Sequence, residues 1–286
     1  MNELLPTLFL LLPLAAYSGW VLGRRGSERS SGARVNELSS SYFRGLNYLL
    51  NEQQDKAIEV FLKLAEINRD TVETHLALGN LFRRRGEVDR AIRVHQHLIA
   101  RPNLSQGEKT IALLELGEEY MRAGLLDRAE TLFTDLVAMD ALASPALKHL
   151  IGIYQHERDW IKAIEHAQQL EQATGESQAA VIAQFYCELA ELSRSRNDTA
   201  AARARVAEAF AVEPDCVRAN MVEGHIEAAA GNLDAAIRAF ERVATLDVDY
   251  VPEILSPLLD CYSRAQRTEH AEEFLLSITE RYQGVS

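Results

Sequence analysis

The sequence predicts an all-α protein in which a single N-terminal transmembrane helix precedes a right-handed superhelix of about seven helix pairs. Three observations carry this expectation. The stretch from Leu4 to Leu22 contains no charged side chain. From about residue 38 onward, a pattern of small residues returns at intervals of 34 to 39 positions. Proline (7) and glycine (15) are sparse among 286 residues, which favours helix over sheet.

The first element is LLPTLFLLLPLAAYSGWVL, Leu4–Leu22. A bilayer core requires roughly 20 apolar residues. Pro6 and Pro13 would be awkward in a soluble helix but are tolerated in a span. Tyr17 and Trp20 fall near its end, where amphipathic rings settle among headgroups. A cleaved signal peptide would carry its positive charge ahead of the apolar run. Here Glu3 precedes the run, while Arg24, Arg25, Arg29 and Arg34 follow it. Residues 1–23 therefore read as an uncleaved anchor, with the N-terminus outside and the remainder in the cytoplasm by the positive-inside rule.

Residues 24–37 include GSERSSGARVN and read as a polar, flexible tether. Arg24, Arg25 and Arg29 make a basic collar suited to an anionic inner leaflet. The chain as a whole carries a formal charge of −12, which excludes a general nucleic-acid binder.

The third element, residues 38–286, is a repeat array. Gly45, Gly79, Gly117 and Gly224 each precede an alanine by twelve positions: Ala57, Ala91, Ala129 and Ala236. Ala163, Ala202 and Ala271 continue the series, and successive alanines step by 34, 38, 34, 39, 34 and 35 residues. Three positions after the glycine or its equivalent, an aromatic recurs as Tyr48, Phe82, Tyr120, Tyr154 and Tyr262. Four positions after the alanine stand Phe61, Phe133, Val206, Phe240 and Leu275. Turn signals such as RGEVD, AGLLD and AGNLD fall between the two helices.

This pattern resembles the tetratricopeptide repeat, a helix-turn-helix of about 34 residues. Small residues let the two helices approach closely, and bulky ones fill the space beside that contact. Each pair leaves an apolar face that the next pair covers. Units are expected to start near residues 38, 72, 110, 144, 183, 217 and 252, with extra residues at about 103–109 and 174–180 lengthening two links between repeats.

First helices of such repeats line a groove. Projected that way, Asn80, Arg83, Arg84, Glu118 and Arg122 face it. These residues form either an ordinary solvated charged face or a basic patch that captures carboxylates by bidentate pairing. Arg90 and Arg93 fall on the second helix, where Glu87 and Asp89 can offset them.

No catalytic motif is present: GxGxxG, P-loop, GxSxG and HExxH are all missing, so no enzymatic activity is expected. The histidines have no spacing suited to metal, and His95 occupies a bulky core position of its repeat. Cys187, Cys216 and Cys261 are scattered and read as reduced, packed thiols.

Beyond the repeat pattern, FLLLPLAAYSGWVLGRR, GLNYLLNEQQDKAIEVFL, LGNLFRRRGEVDRAIRVHQ and AQFYCELA closely resemble the lipopolysaccharide assembly protein B (LapB) family. LGEEYMRAGLLDRAE and FERVATLD add to the resemblance, which runs from residue 1 to about 282. It implies a Gram-negative inner-membrane protein with one span and cytoplasmic repeats. Such proteins act as adaptors that deliver the deacetylase LpxC to the membrane protease FtsH for degradation. The alternative is a scaffold that gathers lipopolysaccharide-synthesis proteins without degrading them. Homo-oligomerisation stays open. The family also carries a C-terminal rubredoxin-like module whose two CxxC pairs hold iron. This chain has no such pairs, so no metal or other cofactor is carried over to it.

Overall fold

A computed structural model describes residues 40–51, 53–67 and 71–283. The expected anchor at 4–22, the tether, and the collar residues Arg24, Arg25 and Arg29 lie outside the described residues. Among those described, no helix is long and apolar enough to cross a membrane. They contain fourteen α-helices and no strand.

The helices follow one another in pairs. They are α1 (40–50) and α2 (Gln54–Ile67), α3 (Val72–Arg84) and α4 (Val88–Ile99), α5 (Gln106–Arg122) and α6 (Leu126–Ala138), then α7 (Ala143–Glu157) and α8 (Trp160–Thr174). There follow α9 (Ala179–Ser195) and α10 (Thr199–Val212), α11 (Val217–Ala229) and α12 (Leu233–Leu246), and finally α13 (Val251–Arg264) and α14 (Thr268–Gln283). The chain divides inside α6 into two compact units, Met1–Ala129 and Glu130–Ser286.

Within a pair, the turn has one construction. From Ala91 onward, the residue five positions before the repeat alanine adopts a left-handed conformation: Gly86, Gly124, Arg158, Asn197, Gly231 and Gln266. The next residue then donates its N–H back across the end of the first helix, as in Glu87 to Phe82 O (2.8 Å), Asp159 to Tyr154 O (2.9 Å) and Asn232 to Glu227 O (2.9 Å). This closure satisfies carbonyls that a helix end leaves open. Acidic residues then start the second helix. Asp89, Asp127 and Asp234 lie in first turns, and the Asp159 and Asp198 carboxylates accept from the N–H groups of Lys162 and Ala201. Each favours the positive end of a helix dipole.

Two first helices, α5 and α9, run to 17 residues. The extra residues at 103–109 and 174–180 therefore do not only lengthen links, because part of each segment winds into the following helix. For α5 the cause is a capping box. Ser105 Oγ accepts from Glu108 N–H at 3.3 Å while the Glu108 carboxylate accepts from Ser105 N–H at 2.8 Å.

Packing inside a pair depends on the absence of a side chain. The repeat alanines from Ala57 to Ala236 are fully buried. Opposite Gly45, Gly79 and Gly224 stand the bulky residues of the second helix, Phe61, His95 and Phe240. A Cβ placed on Gly224 would meet Phe240 Cε1 at 2.5 Å, and one on Gly79 would meet His95 at 2.4 Å. The first unit is built on Ala57, Phe61, Leu78, Leu81, Phe82 and Ala91. In the second unit, Phe240, Ile254, Leu258, Tyr262 and Ala271 join α12, α13 and α14 in one core.

Gly152, within α7, has open space where its Cβ would be. Gly152→Ala should therefore stabilise by about 0.5–1 kcal/mol through helix propensity. Gly224→Ala should destabilise by about 1–3 kcal/mol through overpacking. Urea denaturation midpoints of the two variants check this, and shifts in the same direction would contradict it.

Candidate partner-binding face

The five groove residues all fall in the first unit, on α3 and α5, which pack side by side. They do not behave alike. Arg83 is the least available. Only 13 % of its side chain is exposed, and its Nη1 lies 2.8 Å from the Glu115 carboxylate and 3.0 Å from that of Glu118. The contact with Glu115 is a charge contact, not an aligned hydrogen bond, since the same Glu115 Oε2 has no hydrogen-bond partner. Arg83 therefore first ties α3 to α5, and its charge is already met by two carboxylates. The expectation of a free guanidinium applies to Arg84 and Arg122 instead. Both are exposed and form no ion pair among the described residues.

Asn80 contributes something different. The residue is half-buried, and its Oδ1 is shielded from solvent without a hydrogen-bond partner. A buried acceptor of this kind calls for a donor. The face thus combines an orphaned amide oxygen, a carboxylate pair bridged by Arg83, and two exposed guanidinium groups. The two exposed guanidinium groups are the ones able to pair with acidic side chains of a polypeptide. On the second helix, Arg90 pairs with Glu87 at 2.5 Å and lies over the Phe82 ring at 4.0 Å.

Within each unit, polar ties run between neighbouring repeats at a spacing of 24 residues. Gln96 Nε2 donates to Tyr120 Oη at 3.0 Å, and Tyr154 Oη donates to Glu130 at 2.5 Å. In the sixth pair the aromatic position holds Glu227. Arg203, 24 residues earlier, grips it in bidentate fashion at 2.6 and 2.8 Å. The same offset joins His95 to Glu119, both fully buried, with Nδ1 and Oε1 2.7 Å apart. Neither atom of this approach has an aligned hydrogen-bond partner. Sequence reasoning placed His95 in the core but missed Glu119, although the recurring 24-residue offset is visible in the sequence.

Four other histidines, His75, His149, His166 and His225, are packed against aromatics or held by hydrogen bonds. His149 stacks on Phe133 at 4.7 Å, His166 on Tyr154 at 5.2 Å, and His225 meets Phe240 edge-on at 5.2 Å. His75 Nε2 accepts from Arg101, which leaves its Nδ1–H to donate to Thr71 O. Burial lowers the pKa of His75. No group of three or more His, Cys, Asp or Glu side chains suited to a metal ion occurs among the described residues.

The Arg203 hydrogen bonds hold the Glu227 carboxyl below its ordinary pKa, with Asn232 Nδ2 adding to the effect at 2.7 Å. A folded-state pKa below the unfolded one means that this group's contribution is complete above the ordinary carboxylate pKa of about 4.3. It is lost as pH falls through the folded value. Glu227→Gln should lower the urea midpoint at neutral pH and converge on the parent in acid. An equal deficit at both pH values would contradict the assignment.

Fold and face together define a tetratricopeptide-repeat protein. Tetratricopeptide-repeat family profiles match residues 38–71, 74–106 and 187–249. The chain is 40% identical over 281 residues to lipopolysaccharide assembly protein B of Escherichia coli (strain K12), covering 98% of this chain and 72% of that protein. It is 37% identical over 277 residues to lipopolysaccharide assembly protein B of Haemophilus influenzae, covering 94% and 70%. The chain belongs to the lipopolysaccharide assembly protein B family. Among solved structures, the C-terminal part of a TPR repeat-containing protein from Cytophaga hutchinsonii is similar in fold. It has a TM-score of 0.56 at 13% identity, over 83% of this chain and 93% of that one.

Proposed function

We propose that this chain is a membrane-tethered adaptor that lowers lipopolysaccharide output by bringing the deacetylase LpxC to the protease FtsH for degradation. The observation that carries the reading is the match of 98% of the chain to a protein named for lipopolysaccharide assembly. The match is too long to be confined to the repeats, because the array begins only at about residue 38. In this reading, residues 4–22 anchor the chain in the inner membrane with the N-terminus in the periplasm. Arg24, Arg25 and Arg29 lie against the anionic leaflet, and the repeats face the cytoplasm. The adaptor performs no chemistry of its own.

Its leverage is physical. Tethering confines a captured substrate beside a membrane protease and raises its effective concentration, so a modest affinity at the groove suffices. Asn80, Arg84 and Arg122 supply the contacts, while Arg83 and Glu118 set the geometry between α3 and α5. The deciding experiment follows LpxC after protein synthesis is blocked, in cells lacking their own homologue and supplied with this chain. Rapid loss of LpxC supports the adaptor. A stable LpxC that co-purifies with the chain would replace it with a non-proteolytic scaffold.

Reversing Arg84 and Arg122 together to glutamate should weaken LpxC binding about tenfold, or roughly 1.4 kcal/mol, by removing two exposed charge contacts. The urea midpoint should hold within about 0.5 kcal/mol, as expected of surface positions. Unchanged affinity, read by titration calorimetry, would remove both arginines from the contact.

A further inference from the structure

The exposed apolar side chains of α1 lie on one stripe. Among the described residues Leu50 is the most exposed large hydrophobic, at 81%, and Phe43 stands at 64%. Seven positions separate them, so on a helix of 3.6 residues per turn they project within about 20° of each other. Asn47 lies beside that line and Arg44 flanks it, both exposed. The stripe is held outward from behind. Gly45 is set against the Phe61 ring, Tyr42 meets Phe61 edge-on at 5.6 Å, and Leu46, Tyr48 and Leu49 pack against the core of the first unit. α1 cannot roll to bury Phe43 and Leu50 without breaking those contacts.

Charge sets α1 apart as well. The chain carries 42 acidic residues, yet SSYFRGLNYLL, alone among the described helices, contains none. Residues 23–51 hold Arg24, Arg25, Arg29, Arg34 and Arg44 against Glu28 and Glu37. An apolar stripe edged by arginine and free of carboxylates suits a helix that lies in the plane of an anionic bilayer surface.

Chain length puts that surface within reach. This inference rests on the membrane-tethered reading above, in which the span ends at Leu22, 17 residues before Ser40. A flexible connection of that length spans about 23 Å on average. Along the chain, α1 is therefore the described element nearest the leaflet.

Other occupants of the stripe fit less well. Within residues 24–37, Val35 is the only bulky apolar side chain, too little to cover two side chains set two turns apart. A second copy laid face to face would oppose two Arg44 guanidinium groups, with no carboxylate on either helix to pair them.

We propose that α1 docks on the cytoplasmic leaflet, with Phe43 and Leu50 inserted between anionic lipids and Arg44 at their phosphates. This contact would hold the first unit at a set orientation to the membrane, which the tether alone does not do.

The test uses the full chain in nanodiscs of phosphatidylethanolamine and phosphatidylglycerol. The photocrosslinker p-benzoylphenylalanine replaces Phe43 or Leu50 in separate variants. Both positions are exposed, so folding should be kept, and circular dichroism checks it. After irradiation, mass spectrometry should show lipid adducts as the main product. Their yield should exceed by about fivefold that from the same probe at Arg93, an exposed position on α4. Arg44→Glu should lower the yield at position 43 about fivefold, as loss of a basic contact with an anionic surface requires. Cross-links to a second copy, or to residues 1–39 of the same chain, as the main product would overturn the proposal. So would a lipid yield no greater than at Arg93 from a chain that co-elutes with the nanodiscs, which leaves the anchor standing. A chain that does not co-elute with them would remove the anchor and this inference together.

Discussion

At Gly45, Gly79 and Gly224 a ring from the second helix occupies the space that a Cβ on the first would need. That close approach sets the spacing of each of these pairs, and much else depends on it. It buries the repeat alanine one helix over and determines where the first helix must stop. In the Gly79 and Gly224 pairs, the left-handed Gly86 and Gly231 then reverse the chain so that the second helix can bring its ring back to the glycine. A packed interior tolerates little change in volume at such a contact. The same contact can be made with different side chains, since His95 fills the place that Phe61 and Phe240 fill elsewhere.

Much of this was legible in the sequence because it repeats. A glycine and an alanine twelve residues apart, recurring at intervals of 34 to 39, locate the paired helices without reference to any fold. What did not repeat was harder to see. Three of the left-handed turn residues are Arg158, Asn197 and Gln266, none of which announces its conformation as glycine does. The capping box at Ser105 and Glu108 was present in the sequence, yet the surplus residues before it were assigned to a link when part of them belong to α5. The propensity of that segment for helix outweighed the simpler arithmetic of the repeat.

The polar positions were legible in part. Projection placed Asn80, Arg83, Arg84, Glu118 and Arg122 on the two first helices, but it could not show which charges are already spent. Arg83 is held by Glu115 and Glu118, whereas Arg84 and Arg122 project into solvent. Ion pairing between helices depends on register to within an ångström, and periodicity does not report that.

The account rests on α3 and α5 presenting a working face whose free groups, not its buried ties, meet a partner. Hydrogen–deuterium exchange on the chain in nanodiscs, with and without the deacetylase, tests this most directly. The account predicts slower exchange along α3 and α5 on binding, while the segment of α4 around Arg93 stays unchanged. Protection confined to α9–α14, or to the outer helix α4, would contradict it.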